Sequence, residues 1–228
     1  MVIAQTNRVG TERLLTLPIQ PLVGGVIEAI EQRLNGVDGI PPCLLVDANE
    51  KYSVDMRELE IPDLFQYVAF PVLADNRYPV SRLAVLHSTS SFAASECRTL
   101  YVCRALGGID FATHLLAHVT GMDVHRFAKG MLTDSAWDQL TEFLLRLRNS
   151  DFSIAHVNSV TTSQISKWME IASKESDKSP YVVIDDSRLL IDLSANACTG
   201  FEATYERLTA VAAEYRATIG LVEYHIRQ

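Results

Sequence analysis

From residue 80 onward the sequence alternates between two hydrophobic rhythms, and that alternation restricts the fold more than any other feature. Short β-prone apolar runs fall at 98–103, 152–157, 180–185 and 218–223. Between them lie stretches of helical period at 109–120, 134–148, 162–174 and 201–216, with a further helix expected near 80–88. Strands separated by helices are joined by crossover connections, which set the strands parallel and lay helices on both faces of the sheet. The expected class is α/β, a three-layer and mostly parallel sheet. Crossovers of these lengths are right-handed and make the four runs its central, mutually parallel strands.

The helices carry their own signals. Thr133 and Thr162 stand at N-cap positions, and Phe201, Tyr205, Leu208, Ala212 and Tyr215 recur at three- and four-residue steps. Nearer the N-terminus, "VGGVIEAIEQRLNG" puts Val23, Ile27, Ile30 and Leu34 on one stripe and stops at Gly36, which predicts an amphipathic helix. Two strands are expected next, one behind the prolines of "PPCLLVDANEKYS" and one in the apolar run from Phe65 to Leu73. Residues 1–60 therefore read as an α/β extension packed on a main domain over 61–228. Trp137 and Trp168, on helices among apolar neighbours, are expected as core anchors.

Composition narrows the function classes. The chain has 228 residues, 48% of them hydrophobic, and no apolar run near the ~20 residues needed to cross a bilayer. It reads as a soluble protein with a real core, and a start lacking a signal-peptide pattern makes cytoplasmic localisation the expectation. A net charge of −8 repels a polyphosphate backbone and disfavours autonomous nucleic-acid binding. A local basic patch would have to draw on Arg77, Arg82, Arg98 and Arg104, residues that more often form ion pairs. Cys43, Cys97, Cys103 and Cys198 have no zinc-site spacing and are expected as reduced residues.

Three stretches invite chemistry. "YVVIDDSRLL" runs a buried strand pattern into Asp185 and Asp186, a hard oxygen pair for a divalent ion; strand-end aspartates also simply cap turns. His114 and His118, four apart with Asp110 one turn earlier, are half of a zinc site by spacing, and a core or surface histidine pair is the plainer reading. His87 beside "STSSF" lacks the Gly-x-Ser-x-Gly turn of a serine hydrolase. No metal or other cofactor is expected.

The stretches "KGMLTDSAW" and "SVTTSQI" before successive helices, with the aspartate-ended strand and "ATIGLVEYHIRQ", resemble the RecA-like motor domain of DnaB-type replicative helicases over residues ~65–228. The resemblance implies a P-loop NTPase-like sheet with, in order, a phosphate loop, a strand ending in a catalytic glutamate, a magnesium aspartate and a sensor glutamine. Its spacing puts the phosphate loop at "ADNRYPVS", where Pro79, Val80 and Ser81 replace Gly-Lys-Ser/Thr. Proline lacks an amide donor and valine a cation, so the loop cannot wrap a triphosphate. The glutamate position falls at Ala105, the sensor position at His225 and the magnesium position at Asp185 and Asp186, all vestigial on this reading. Because the family's later strands have no counterpart before Gln228, the resemblance further implies a core truncated at its C-terminus.

The expected function is that of a pseudo-ATPase with no catalytic residues, a protein-binding accessory in DNA replication or recombination. Its expected partner is a replicative helicase or a second copy of itself, without nucleic acid or membrane. The alternative is a metal-dependent enzyme or nucleotide sensor using Asp185 and Asp186 with His225 or Glu223. The strand at 218–223, left as an edge by the truncation, is expected to be covered by the first 60 residues or by another subunit.

Overall fold

The computed structural model describes residues 13–35, 69–75, 97–104, 107–191 and 200–225. In chain order they form β1 (Leu17–Pro18), α1 (Gln20–Leu34), β2 (Ala69–Asp75), β3 (Arg98–Cys103) and α2 (Gly107–Val119). There follow α3 (Val124–Ala128), α4 (Asp134–Arg148), β4 (Asp151–His156), α5 (Thr162–Glu175), β5 (Pro180–Ile184), a 3₁₀ turn (Ser187–Leu189), α6 (Gly200–Glu214) and β6 (Thr218–His225). The sheet order is β1-β4-β3-β5-β6-β2. The pairs β4–β3, β3–β5, β5–β6 and β6–β2 are parallel, and among the described strands β1 alone is antiparallel.

Side-chain alternation along the strands explains the layering. Tyr101, Cys103, Phe152, Ile154, Tyr181, Val183 and Val222 face one core, where they meet Val23 and Ile30 of α1, Phe111 and Leu115 of α2 and Phe143 of α4. Leu100, Val102, Ala155, Val182, Ile184, Ile219 and Leu221 face the other, against Ile165 and Met169 of α5 and Leu208 and Ala212 of α6. A strand apolar on both faces must be covered on both, which is why these segments read as continuous runs rather than as alternation with polar residues. Each fully buried large aliphatic side chain contributes roughly 1.5–3 kcal/mol. Trp137 and Trp168 join opposite cores, as expected.

Three sequence expectations are corrected. Thr161, not Thr162, caps α5: its hydroxyl accepts from Gln164 N at 3.1 Å while the Gln164 side chain accepts from Thr161 N at 3.0 Å, a reciprocal capping box. On α1 the buried stripe is Val23, Val26 and Ile30, continuing from Ile19; Ile27 is only partly buried and Leu34 is exposed. The neighbour that covers β6 is β2, from residues 69–75, rather than the first 60 residues or a second subunit. That N-terminal segment instead lies at the opposite side of the sheet, where β1 pairs with β4 and Ile19 N donates to Phe152 O at 3.1 Å. Of the four arginines weighed for a basic patch, Arg77 and Arg82 lie outside the described residues, Arg98 is ion-paired with Glu175 at 2.8 Å, and Arg104 lies at the other end of β3, ~20 Å away at strand rise.

The helix expected near 80–88, the strand near Cys43 and His87 lie outside the described residues. Among the described residues, Cys97 is partly buried and Cys103 is buried. No helix there is long and apolar enough to cross a membrane.

Candidate functional site

In a parallel sheet every strand ends at the same edge, and clefts of open α/β sheets form there. Here that carboxyl edge gathers Cys103 at the end of β3, His156 at the end of β4, Asp185 and Asp186 just past β5, and the β2 and β6 ends, where Asp75 is in register with His225. The ladder runs one step beyond β5, since Asp185 N donates to Val102 O at 3.0 Å. Asp185 and Asp186 are 7% and 8% exposed.

Asp186 is held from one side by its near neighbour. Its Oδ1 accepts from Arg188 N at 2.9 Å and Arg188 Nε at 2.8 Å; its Oδ2 accepts from Arg188 Nε at 3.0 Å and Nη2 at 2.8 Å. Arg104 Nη2 stands at 3.9 Å from Oδ2. Burial alone would raise the Asp186 pKa, but the Arg188 side chain and backbone N–H, with Arg104 behind them, hold the carboxyl below its ordinary value. The same carboxylate caps the 3₁₀ turn, so the turn reading of these aspartates is realised at Asp186.

His156, which the sequence pattern does not single out, is the neighbouring buried titratable group at this edge. It is 6% exposed, in register with Cys103, and burial pushes its pKa below the ordinary imidazole value, which favours the uncharged ring. Gly108, in the first turn of α2, lies directly against it. A Cβ placed on Gly108 would collide with His156 Nε2 and come within 3.1 Å of Ile154 Cδ1. The signal for both residues is present in the sequence only as a lone strand-end histidine and one glycine of "GG", neither of which names its partner.

Pro79, Val80, Ser81 and Ala105 lie outside the described residues, as does the His225 side chain. The structure does describe the strands that flank them: β2 ends at Asp75, ahead of 79–81, and β3 ends at Cys103, just ahead of Ala105. His114 is buried and His118 partly buried on α2. Among the described residues no group of three or more His, Cys, Asp and Glu is placed to hold a metal ion.

No family model matches the sequence, and no curated protein matches it. Solved structures do resemble the fold. One is an ATPase domain, at a TM-score of 0.59 and 15% identity over 71% of this chain and 59% of the other. Another is a DnaB-like replicative helicase, solved for its interactions with primase, at 0.61 and 15% over 72% of this chain and 40% of the other. The chain therefore spans well under two thirds of the proteins it resembles. By its strand order, its covered faces and these likenesses, the chain has the RecA-like fold of DnaB-type helicase ATPase domains.

Proposed function

We propose that this chain is a RecA-like module without ATPase activity that acts through protein contacts, as an accessory or regulatory factor in DNA replication or recombination. The observation that carries the proposal is the pairing of a RecA-like sheet with a sequence in which no Gly-Lys dipeptide occurs. A phosphate loop needs glycine amides and a lysine; four residues beyond β2 this chain has Pro79 and Val80. Ala105, two residues past β3, has no carboxylate with which to orient a water. The rival reading, an enzyme or nucleotide sensor built on Asp185 and Asp186, has against it that the Asp186 carboxylate is already taken by Arg188. The partner that suits this reading is a helicase of the resembled class or a second copy of the chain, at an acidic and partly apolar surface.

Calorimetry with ATP and magnesium, and phosphate release with and without single-stranded DNA, test the proposal. The expected outcome is no turnover above a matched blank and no micromolar binding, since each missing charge-assisted hydrogen bond is worth ~1.5–3 kcal/mol and each ~1.4 kcal/mol is tenfold in affinity. Val80→Lys alone is expected to leave turnover absent. Turnover by the wild-type chain would reject the proposal.

A further inference from the structure

The carboxyl end of β5 carries a buried acid whose charge has to be balanced by something. A carboxylate offers about four lone-pair directions. At Asp186 the backbone N–H, Nε and Nη2 of Arg188 make four contacts of 2.8–3.0 Å that use both oxygens, and Arg104 approaches the same Oδ2 at 3.9 Å. Both oxygens are thus engaged by three Arg188 donors, Nε being shared between them, and a hard cation would have to compete with the guanidinium for the same lone pairs. The guanidinium grips as a fork, and its partner is only two residues away, so little chain entropy is spent in holding it.

The grip also shapes the backbone after Asp186. Leu189 N donates to Asp186 O at 2.9 Å and closes the 3₁₀ turn. The turn is tied to the β4–α5 connection by Val160 N to Leu189 O at 2.7 Å and by Ile191 N to Val160 O at 3.1 Å. Val160 immediately precedes Thr161, the N-cap of α5. Consecutive hydrogen bonds thus link Arg188, the turn and Val160, which adjoins the N-cap of α5.

We propose that Arg188 is a built-in counter-cation: it occupies the electrostatic position at the end of β5 that a divalent ion would fill in a catalytic version of this edge, and locks the β5 end to the β4–α5 connection without metal. The proposal rests on the non-catalytic reading above and deepens it. It makes the carboxyl edge self-contained, with Asp186 closed to metal as long as Arg188 is present.

Manganese alone, titrated without nucleotide and followed by the electron paramagnetic resonance of the free ion, tests this. Wild-type protein is expected to bind Mn²⁺ no more tightly than Asp186→Asn. Arg188→Ala is expected to bind on the order of tenfold or more tightly than wild type, because a positive charge a few ångströms from the ion has been removed. The double variant R188A/D186N should lose that gain. Arg188→Gln, which keeps length and a donor, carries the same comparison where the alanine variant does not fold. A wild-type affinity that falls on Asp186→Asn, or Arg188 variants with no Asp186-dependent gain, overturns the proposal. Thermal melting of wild type with magnesium and with a chelator should coincide; a metal-dependent shift that disappears in Asp186→Asn also overturns it. Because no ATP is present, failure here is separable from failure of the ATPase prediction.

Discussion

The two ends of the parallel strands solve the problem of charge differently. At the amino end, Arg98 pairs with Glu175 at 2.8 Å and Lys178 with Asp151 at 3.1 Å, across elements but with at least one partner of each pair about half exposed. Such pairs are worth little, ~0–1 kcal/mol, and are screened by salt. At the carboxyl end His156, Asp185 and Asp186 are buried. Burial favours the neutral form of His156, whereas the Arg188 guanidinium favours the ionised form of Asp186. The amino end tolerates charge; the carboxyl end specifies it, and an edge so specified is where binding or regulation is expected in an α/β sheet.

The largest effect that would break this contrast is steric. Gly108→Val should destabilise the fold by ~3 kcal/mol, since the new side chain meets the His156 ring and Ile154 in a packed core. Combining it with His156→Ala should recover part of that loss, and chemical denaturation of the four proteins measures the coupling. If Gly108→Val melts like wild type, the carboxyl edge is not tightly packed at β4. Arg188→Ala should cost ~1–3 kcal/mol, below the value for a fully buried pair because the guanidinium is exposed, and Asp186→Asn in the same chain should restore some of it.

Acid should separate the two carboxyl-end groups by pH window. His156 has a lowered folded pKa, so the unfolded chain gains a proton first and stability declines as pH falls below about 6.5. Asp186 also has a lowered folded pKa, but its contribution is complete above the unfolded value near 3.9 and is lost only as pH falls through the folded one. Stability curves against pH should therefore lose the upper slope in His156→Gln and the lower one in Asp186→Asn. The smallest effect belongs to the amino end. Arg98→Ala or Lys178→Ala should shift stability by no more than ~1 kcal/mol, and less in high salt. A larger loss there would erase the distinction between the ends.

Legibility in the sequence depends on which forces are local. Strand 98–103 is legible to the residue because "TLYVC" is apolar on both faces, and α4 is legible because Thr133 caps it and Leu140, Phe143 and Leu147 keep helical period. Thr161 and Thr162 are chemically alike, and only the reach of Gln164 decides which one caps. β1, two residues long, is too short to show any period, and α3 is a single turn and a half held by Asp123. Strand order is not a local property at all, so no short stretch discloses the placement of β2 against β6. The candidate site divides in the same way. Asp185 and Asp186 stand out as a pair in the sequence, whereas His156 and Gly108, 48 positions apart, become neighbours only when β4 docks beside α2.

The pairing of β2 with β6 has a kinetic consequence. Ala69 is in register with Ile219, a separation of more than half the chain, and every residue of the intervening β3–β5 unit must be made before that ladder can form. Contacts so distant in sequence slow folding, because the loop-closure entropy is lost before any pairing repays it. During synthesis β2 is made long before β6, and an apolar run such as "AFPVLA" without its ladder partner is expected to be open to mispairing, which Pro71, unable to donate to a ladder, is expected to weaken.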